Sequence, residues 1–347
     1  MIRYISQFSI VTLLPAFLLV LGVKWGGWWP LLGVLYLTLF NQVLDRIIGE
    51  LPDSPLEHSL QRVLPITLAI LHFCLLGAAI WALALNTGTI AEKALIFIGF
   101  GLFFANVSNA NGHELIHRRT RLEFRLGKWI FISHLFGHHT SAHLLLHHPY
   151  VATKFDPNSA RLNESFFRFA RRAWVGSFRK GLIAENTRRG LPANSIKFGP
   201  KHPYFSYFFG ALTFLLLCLG LAGWQGVFWY LGLAGFAQTG LLLTDYIQHY
   251  GLSRIEFADG KFEPAAPRHS WNSPHWFTRH LTLNAVRHSD HHAKPMRVYT
   301  ELQAYPAEIA PEMPYPAGTM SFIALFPALW RKVMNPRVAA LKPTGAA

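Results

Sequence analysis

Cysteine and charge are the scarcest features of this chain of 347 residues. Its only two cysteines, Cys74 and Cys218, lie in apolar runs, and there is no Cys-x-x-Cys pair. This pattern excludes a disulfide scaffold, a zinc ribbon and a small cysteine-ligated iron domain. Charged residues make up 14% of the chain, where a soluble domain has about 25%. We therefore expect a chain that lies largely in lipid.

Acidic residues are also few, with 18 against 32 lysines and arginines, a net charge of +14. Such a basic chain could bind nucleic acid, but a nucleic-acid-binding domain keeps its basic residues beside a soluble core. Here they flank apolar segments, so nucleic acid is not the expected partner. Flavin and dinucleotide fingerprints such as Gly-x-Gly-x-x-Gly are lacking as well. Histidine, in contrast, occurs 18 times, as often as Asp and Glu together.

Long apolar runs predict an all-α integral membrane protein with six transmembrane helices in three hairpins. The predicted spans are Ile5–Val23, Trp28–Val43, Val63–Leu85, Ala94–Ser108, Pro203–Ala222 and Val227–Leu243. The second and fourth runs are short for a bilayer, so we expect both helices to continue past them. Residues 1–347 are interpreted as one domain, with a histidine-rich helical lobe formed by 110–202 and 247–347.

Basic residues predict how the spans are oriented. Only Lys24 and Lys93 lie on the short connectors, whereas the other 30 lysines and arginines lie on the termini and long loops. By the positive-inside rule, the termini and the lobe are expected on the cytoplasmic side. The apolar stretches 129–135 and 321–330 are too short to span a bilayer and are expected to pack against the lobe.

Histidines recur at helical spacing in four places. His113 and His117 form His-Glu-x-x-His, which would place both rings on one helical face and also matches the pattern of zinc proteases. A crowded cluster holds His134, His138, His139, His143, His147 and His148, which form two His-x-x-x-His-His triplets. Spacing alone does not choose between these triplets.

The other two groups lie nearer the end of the chain. His249 stands one turn beyond Asp245 at the end of the sixth span, and His288, His291 and His292 share one side of a predicted helix. Imidazole groups from four places on one membrane side indicate a site for more than one metal ion. Iron, copper, nickel and zinc all accept such ligands.

These motifs, in this order, resemble the membrane alkane 1-monooxygenases, the integral-membrane di-iron alkane hydroxylases of the histidine-box superfamily. The shared elements are His-Glu-x-x-His at 113–117, a His-x-x-x-His-His triplet, Asp-Tyr-x-x-His-Tyr-Gly at 245–251 and Arg-His-Ser-Asp-His-His at 287–292. Segments 43–49, 270–273 and 329–338 are similar too. The resemblance covers about residues 5–340.

The resemblance selects one triplet, because in that family a Val-Ala-Thr-x-x-Asp-Pro string follows it closely, as residues 151–157 do here. It implies two iron ions bound by nine histidines: His113, His117, His143, His147, His148, His249, His288, His291 and His292. Glu114, Asp245 and Asp290 are candidates to orient these rings. No role is assigned to His134, His138, His139, His269 or His275.

This chain departs from the family pattern at three positions around the site. Ala142 stands where the family usually has Glu, Leu146 where it has Gly, and Asp245 where Asn is common. None of these changes removes a ligand. They alter what surrounds one, so they bear on substrate preference and activity more than on metal binding.

The implied activity is terminal hydroxylation of medium-chain n-alkanes to 1-alkanols with dioxygen, at the cytoplasmic side of the inner membrane. The alkane would enter from the bilayer, and electrons would come from reduced rubredoxin, itself served by an NADH-dependent reductase. Segment 110–202 carries 16 basic and 5 acidic residues, which should attract an acidic donor.

Three alternatives remain open from the sequence. A related hydroxylase of aromatic methyl groups and a fatty-acyl desaturase use similar histidine boxes, although desaturases usually lack the Asp-Tyr-x-x-His-Tyr-Gly element. A membrane metal transporter or sensor is the alternative outside enzymes. A transporter would carry ligands along a path within its spans, whereas these histidines gather at span ends.

Overall fold

The computed structural model describes residues 2–49, 61–197 and 199–341. Twelve helices organise this part of the chain: α1 (Ile2–Trp25), α2 (Trp29–Ile48), α3 (Val63–Ala84), α4 (Ile90–Ile116), α5 (Arg121–Ser133), α6 (139–150), α7 (Phe166–Arg188), α8 (Pro203–His249), α9 (Trp276–Leu281), α10 (His288–Ala293), α11 (Ala317–Ala324) and α12 (Pro327–Ala340). Over these residues, extended pairing is confined to two isolated bridges. The expected all-α class is confirmed.

Five of the helices, α1 to α4 and α8, are long and apolar enough to cross a membrane. The second and fourth predicted spans continue past their apolar runs, as expected, to Ile48 and Ile116. The predicted fifth and sixth spans both lie within α8, which has 47 residues. A multi-pass membrane protein is therefore supported, with five candidate spanning helices where the sequence predicted six.

Helix α8 reverses direction near its middle. Ala222 and Gly223 leave the helical conformation, and Gly223 has φ +60° and ψ −155°, a region open essentially only to glycine. The rings of Phe214 and Tyr230 lie 6.3 Å apart, whereas sixteen residues of straight helix would separate them by about 24 Å. The two arms of α8 therefore lie side by side.

The long helices form a bundle with two distinct ends. At one end, the backbone N–H of Gly27 donates to Glu92 (2.9 Å), which joins the α1–α2 connector to the start of α4. At the other end, α4 leads into His113 and His117, and α8 finishes with His249. His113, His117 and His249 therefore lie at the same end of the bundle.

Both short apolar stretches pack inside the protein. Ile130, Phe131 and Ile132 of α5 are fully buried. Trp330 of α12 is also fully buried and its ring lies 5.1 Å from that of Tyr246. These contacts agree with packed elements rather than a further span.

Asp45 ties the end of α2 to the segment that leads into α10. Its carboxylate accepts hydrogen bonds from the backbone N–H groups of Phe277 (2.7 Å) and Thr278 (3.1 Å) and from the Thr278 hydroxyl (2.5 Å). A carboxylate at the first turn of a helix satisfies amides that have no partner within the helix. Asp45 is 1% exposed, so water cannot replace it.

We predict that Asp45→Ala lowers thermal stability, because each buried donor left without a partner costs about 1–3 kcal/mol. The measurement is the melting temperature of the detergent-solubilised protein. Asp259→Ala is the control, since the Asp259 side chain is 54% exposed and its ion pair with Lys261 lies at the surface. Equal melting temperatures for the two variants would contradict the anchoring role of Asp45.

Candidate metal centre

A π-helical turn shapes the histidine cluster of α6. Residues His143–His147 adopt this wider turn, in which positions five apart align instead of four. His143 and His148 therefore lie on the same side, with their Nε2 atoms 2.9 Å apart. His147 points to a different neighbour, the ring of His249, at 4.8 Å between centroids.

All nine histidines selected from the resemblance come together in two groups. In each group the ligating atoms lie within 4.8 Å of one another. The five-histidine group is His113, His117, His143, His148 and His291; the four-histidine group is His147, His249, His288 and His292. His134, His138 and His139 belong to neither group. Their composition makes these groups candidate metal sites; the role of each histidine as a ligand stays a prediction.

The nitrogens in each group face one another at distances that suit a shared cation. In the five-histidine group, Nε2 of His143 lies 3.0 Å from Nε2 of His117, and Nε2 of His148 lies 3.1 Å from that of His291. A neutral imidazole has one N–H and one lone pair, so several converging Nε2 atoms cannot all find a proton partner. Nε2 of His113, buried in the same group, has no hydrogen-bond partner among the described residues.

The four-histidine group shows the same feature. Nε2 of His288 lies 2.9 Å from Nε2 of His249 and 3.0 Å from Nε2 of His292. The buried Nε2 of His147 has no hydrogen-bond partner in the part of the chain that the structure describes. Converging lone pairs in a buried site are what a metal ion requires. These residues fit a metal in both groups.

The protonation state of the histidine rings also suits metal binding. Burial, reinforced by neighbouring imidazoles, lowers the pKa of His117, His143, His148 and His291 well below the usual range. The same causes lower the pKa values of His288 and His292. Near neutral pH these rings are uncharged, and the neutral imidazole is the form that binds metals.

His147 differs because it contacts a carboxylate. Its Nδ1 lies 2.9 Å from Oδ2 of Asp156. Burial alone would lower the pKa of His147, but the charge and hydrogen bond of Asp156 outweigh it and raise that pKa. The Ser159 hydroxyl also donates to Asp156 (2.7 Å). A carboxylate held in this way fixes the ring and leaves Nε2 directed at the group.

A second chain of contacts supports His249. Its Nδ1 lies 3.3 Å from the carbonyl oxygen of His269. The His269 ring accepts the backbone N–H of Ala266 at Nδ1 and contacts Glu263 through Nε2 at 3.1 Å. His269, to which the sequence assigned no role, therefore belongs to the support of the four-histidine group.

The three carboxylates proposed from the sequence have other contacts. Glu114 accepts the backbone N–H of Tyr299 and pairs with Arg118. Asp290 pairs with Arg297 at 2.7 Å, and Asp245 accepts from Asn158 at 2.6 Å. Their role in orienting the rings stays a prediction. The carboxylate that contacts a candidate ligand, Asp156, was visible in the sequence only as part of the string at 151–157.

The histidines left without a role lie in aromatic or polar packing. Nδ1 of His134 contacts Asn109 at 3.0 Å. The ring of His138 makes edge contacts with the stacked rings of Trp174 and Phe178, at 5.4 and 5.2 Å. His139 stacks on Phe136. Nδ1 of His275 contacts the hydroxyl of Ser273 at 2.9 Å.

Sequence comparisons show which known proteins the chain is similar to. A family profile described as fatty acid desaturase matches residues 93–324. The chain is 31% identical to alkane 1-monooxygenase 2 of Alcanivorax borkumensis, over 97% of this chain and 90% of that protein. It is 32% identical to alkane 1-monooxygenase 2 of Pseudomonas aeruginosa, over 92% and 87%. The hydroxylase component of a Pseudomonas putida xylene/toluene monooxygenase is 26% identical, over 89% and 82%.

We predict that Asp156→Asn weakens metal retention about tenfold, because loss of a carboxylate that supports a histidine ligand costs 10–100-fold in metal affinity or activity. The measurement is metal content after dialysis against graded chelator concentrations. Asp259→Asn, at the surface, should retain metal like the unaltered protein. Identical retention curves for the two variants would argue against a supporting role for Asp156.

A second prediction compares two equally buried histidines of the crowded cluster. His143→Ala should lose most of the metal, whereas His134→Ala should keep it, because only His143 belongs to a candidate group. Both are 2–3% exposed, so the two substitutions remove similar buried volume. The readout is metal per folded chain, and the reverse pattern would mean that the other triplet binds metal.

Proposed function

Because the chain belongs to the fatty acid desaturase family and, within it, to the alkane 1-monooxygenases, we propose that it hydroxylates medium-chain n-alkanes at a terminal carbon. The resemblance seen in the motifs is thereby confirmed at the level of the family. The observation that carries the proposal is the pair of all-histidine groups at one end of an apolar helical bundle. Relatives named for this activity match nearly the whole chain.

We further propose that two iron ions occupy the site. The five-histidine group would hold one ion and the four-histidine group the other. Iron bound there supplies the reduction of dioxygen and the oxidation of an unactivated C–H bond, which no side chain can perform alone.

The protein's part is to hold neutral rings in a dry site and to bring an apolar substrate to it. His143, His147 and His291 are at most 3% exposed, so bulk water is largely kept from the reacting atoms. The spanning helix α4 is apolar from Ala94 to Ala105, about two turns before His113. An alkane dissolved in the bilayer can therefore reach the site without entering water, and we propose lateral entry between the helices.

Electrons must come from a partner, because the chain has neither a cysteine cluster nor a flavin fingerprint. The proposed reaction converts an alkane, dioxygen, two electrons and two protons into a 1-alkanol and water. We propose rubredoxin as the donor, two reduced molecules giving one electron each, with an NADH-dependent reductase reducing them again.

The proposed topology is six spans in three hairpins, with the two arms of α8 as the fifth and sixth. The broken helix and the contact of Phe214 with Tyr230 support this count. The positive-inside rule then favours the cytoplasmic side of the inner membrane for the histidines. We propose one oxygenase domain over residues 1–347, with 110–202 and 247–347 forming its cytoplasmic lobe.

Hydroxylation of aromatic methyl groups is the second candidate, favoured by the similarity to the xylene/toluene monooxygenase component. That similarity is lower than the roughly 30% identity to the alkane enzymes. A methyl group on a ring also requires a wider path to the site than a linear chain does. We therefore rank it below alkane hydroxylation.

We predict that cells expressing the chain with rubredoxin and its reductase convert n-alkanes into 1-alkanols carrying ¹⁸O from ¹⁸O₂. The measurement is mass spectrometry of products from alkanes, xylenes and fatty acids supplied in parallel. His113→Ala, His147→Ala and His291→Ala should abolish product and lower iron content. Benzylic alcohols alone would favour the second candidate, and desaturated fatty acids would contradict hydroxylation.

A further inference from the structure

An exposed aromatic cluster lies outside the spanning helices, just beyond the histidines. Tyr150 and Phe155 are 42% and 47% exposed. The Phe155 ring lies 6.0 Å from Tyr150 and 5.9 Å from Phe262. Lys154 places its ammonium over both phenylalanine rings, at 5.6 and 6.0 Å. Exposed aromatic side chains are enriched at the centre of protein interfaces.

A surface cavity of about 420 Å³ opens beside this cluster. Its lining includes Lys154 and Phe262, together with the basic side chains of Arg161 and Arg254. Glu256 is the exposed acid of the lining, and it is already paired with Lys154 at 2.7 Å. The cavity rim is therefore positively charged. We name Tyr150, Lys154, Phe155, Arg161 and Phe262 the aromatic-basic patch.

Two side chains, Asp156 and His147, connect the cavity with the four-histidine group. Asp156 lines the cavity and contacts Nδ1 of His147. The other ring nitrogen of His147 belongs to the opposite edge of the imidazole and is directed at the group. Asp156 therefore connects the lining of the cavity directly to His147, a member of that group.

We propose that the aromatic-basic patch is the docking surface for the electron donor, a small acidic one-electron carrier protein. The proposal rests on the proposed function, because it supplies the two electrons that the hydroxylation consumes. Two donors dock in turn; each is oxidised by one electron, and the pair of electrons reduces the metal centre for one molecule of dioxygen. The basic rim attracts the acidic carrier, and the aromatic rings provide the desolvated contact at the centre.

A lipid headgroup layer is the competing occupant, because aromatic and basic residues also gather at membrane surfaces. The patch differs from a membrane anchor in surrounding a polar cavity with Asp156 and Ser159 in its lining. Tyr150 is the last residue of α6, and Phe155 and Phe262 belong to segments that lie between α6 and α7 and after α8. A protein partner that covers the cavity fits these features better than lipid does.

The test is donor kinetics and donor binding with purified protein in detergent and an acidic bacterial rubredoxin as the probe. Phe155→Ser and Arg161→Glu should each raise the apparent KM for reduced rubredoxin about tenfold, the size of a substantial interface contact. The rate at saturating rubredoxin and the iron content should not change, because neither side chain contacts a histidine of the two groups. Calorimetric binding of oxidised rubredoxin should weaken by the same factor.

Arg188→Glu is the matched control, since Arg188 is an exposed arginine at the end of α7 and outside the patch. It should change the apparent KM by less than about twofold. An equal rise for Arg188→Glu and Arg161→Glu would overturn the proposal in favour of a diffuse basic face. Unchanged donor binding in Phe155→Ser, with altered association with anionic vesicles, would assign the patch to lipid and also overturn it.

Failure of the proposed function gives a different result. If the unaltered protein forms no alcohol from any alkane yet binds rubredoxin through the patch, the docking surface stands and the substrate assignment fails. If alcohol is formed while the patch variants bind rubredoxin like the unaltered protein, the docking surface is wrong and the hydroxylase assignment stands.

Discussion

The rest of the structure depends on the crowding of nine imidazoles at one end of an apolar bundle. Their nitrogens lie as close as 2.9 Å in both groups, a separation that is costly for buried polar atoms without protons to share. Uncharged rings and a cation in each group would resolve this conflict. Burial, which lowers the pKa values of six of these rings, keeps them available as ligands.

The two groups are not independent, because two short helices contribute to both. Helix α6 gives His143 and His148 to the five-histidine group and His147 to the four-histidine group. Helix α10 gives His291 to the first group and His288 and His292 to the second. Any shift of α6 or α10 therefore changes both sites together. The supports from Asp156 and His269 act on the four-histidine group, and Asp156 also lines the surface cavity. This asymmetry gives the two groups different surroundings although both consist of histidines.

Much of this arrangement can be predicted from the sequence. The features that could not be predicted have identifiable physical reasons. Apolar runs predict the long helices because the hydrophobic thickness of a bilayer fixes their length. The spacing of His113 and His117 places them in one group, as an α-helix requires. The division of His143 and His147 between groups could not be predicted, since it depends on a π-helical turn that changes which positions align.

The contacts that support His147 and His249 could not be predicted from the sequence either. Asp156 contacts His147 across a turn of irregular chain, and the carbonyl oxygen of His269 that contacts His249 has no signature in residue type. Glu114 and Asp290 are candidates because they adjoin histidines in sequence, and Asp245 because it lies one helical turn from His249. In the structure Glu114 contacts Tyr299 and Arg118, Asp290 pairs with Arg297, and Asp245 accepts from Asn158. Adjacency in sequence is a weak guide where several loops converge on one site.

The central claim is that the two histidine groups hold one iron ion each. The most direct measurement is an anomalous-difference map of the purified protein at the iron absorption edge. If each group holds one iron ion, the map will show two peaks. One will be enclosed by the five-histidine group (His113, His117, His143, His148 and His291) and the other by the four-histidine group (His147, His249, His288 and His292). A single peak, or a peak enclosed by His134, His138 or His139, would contradict it.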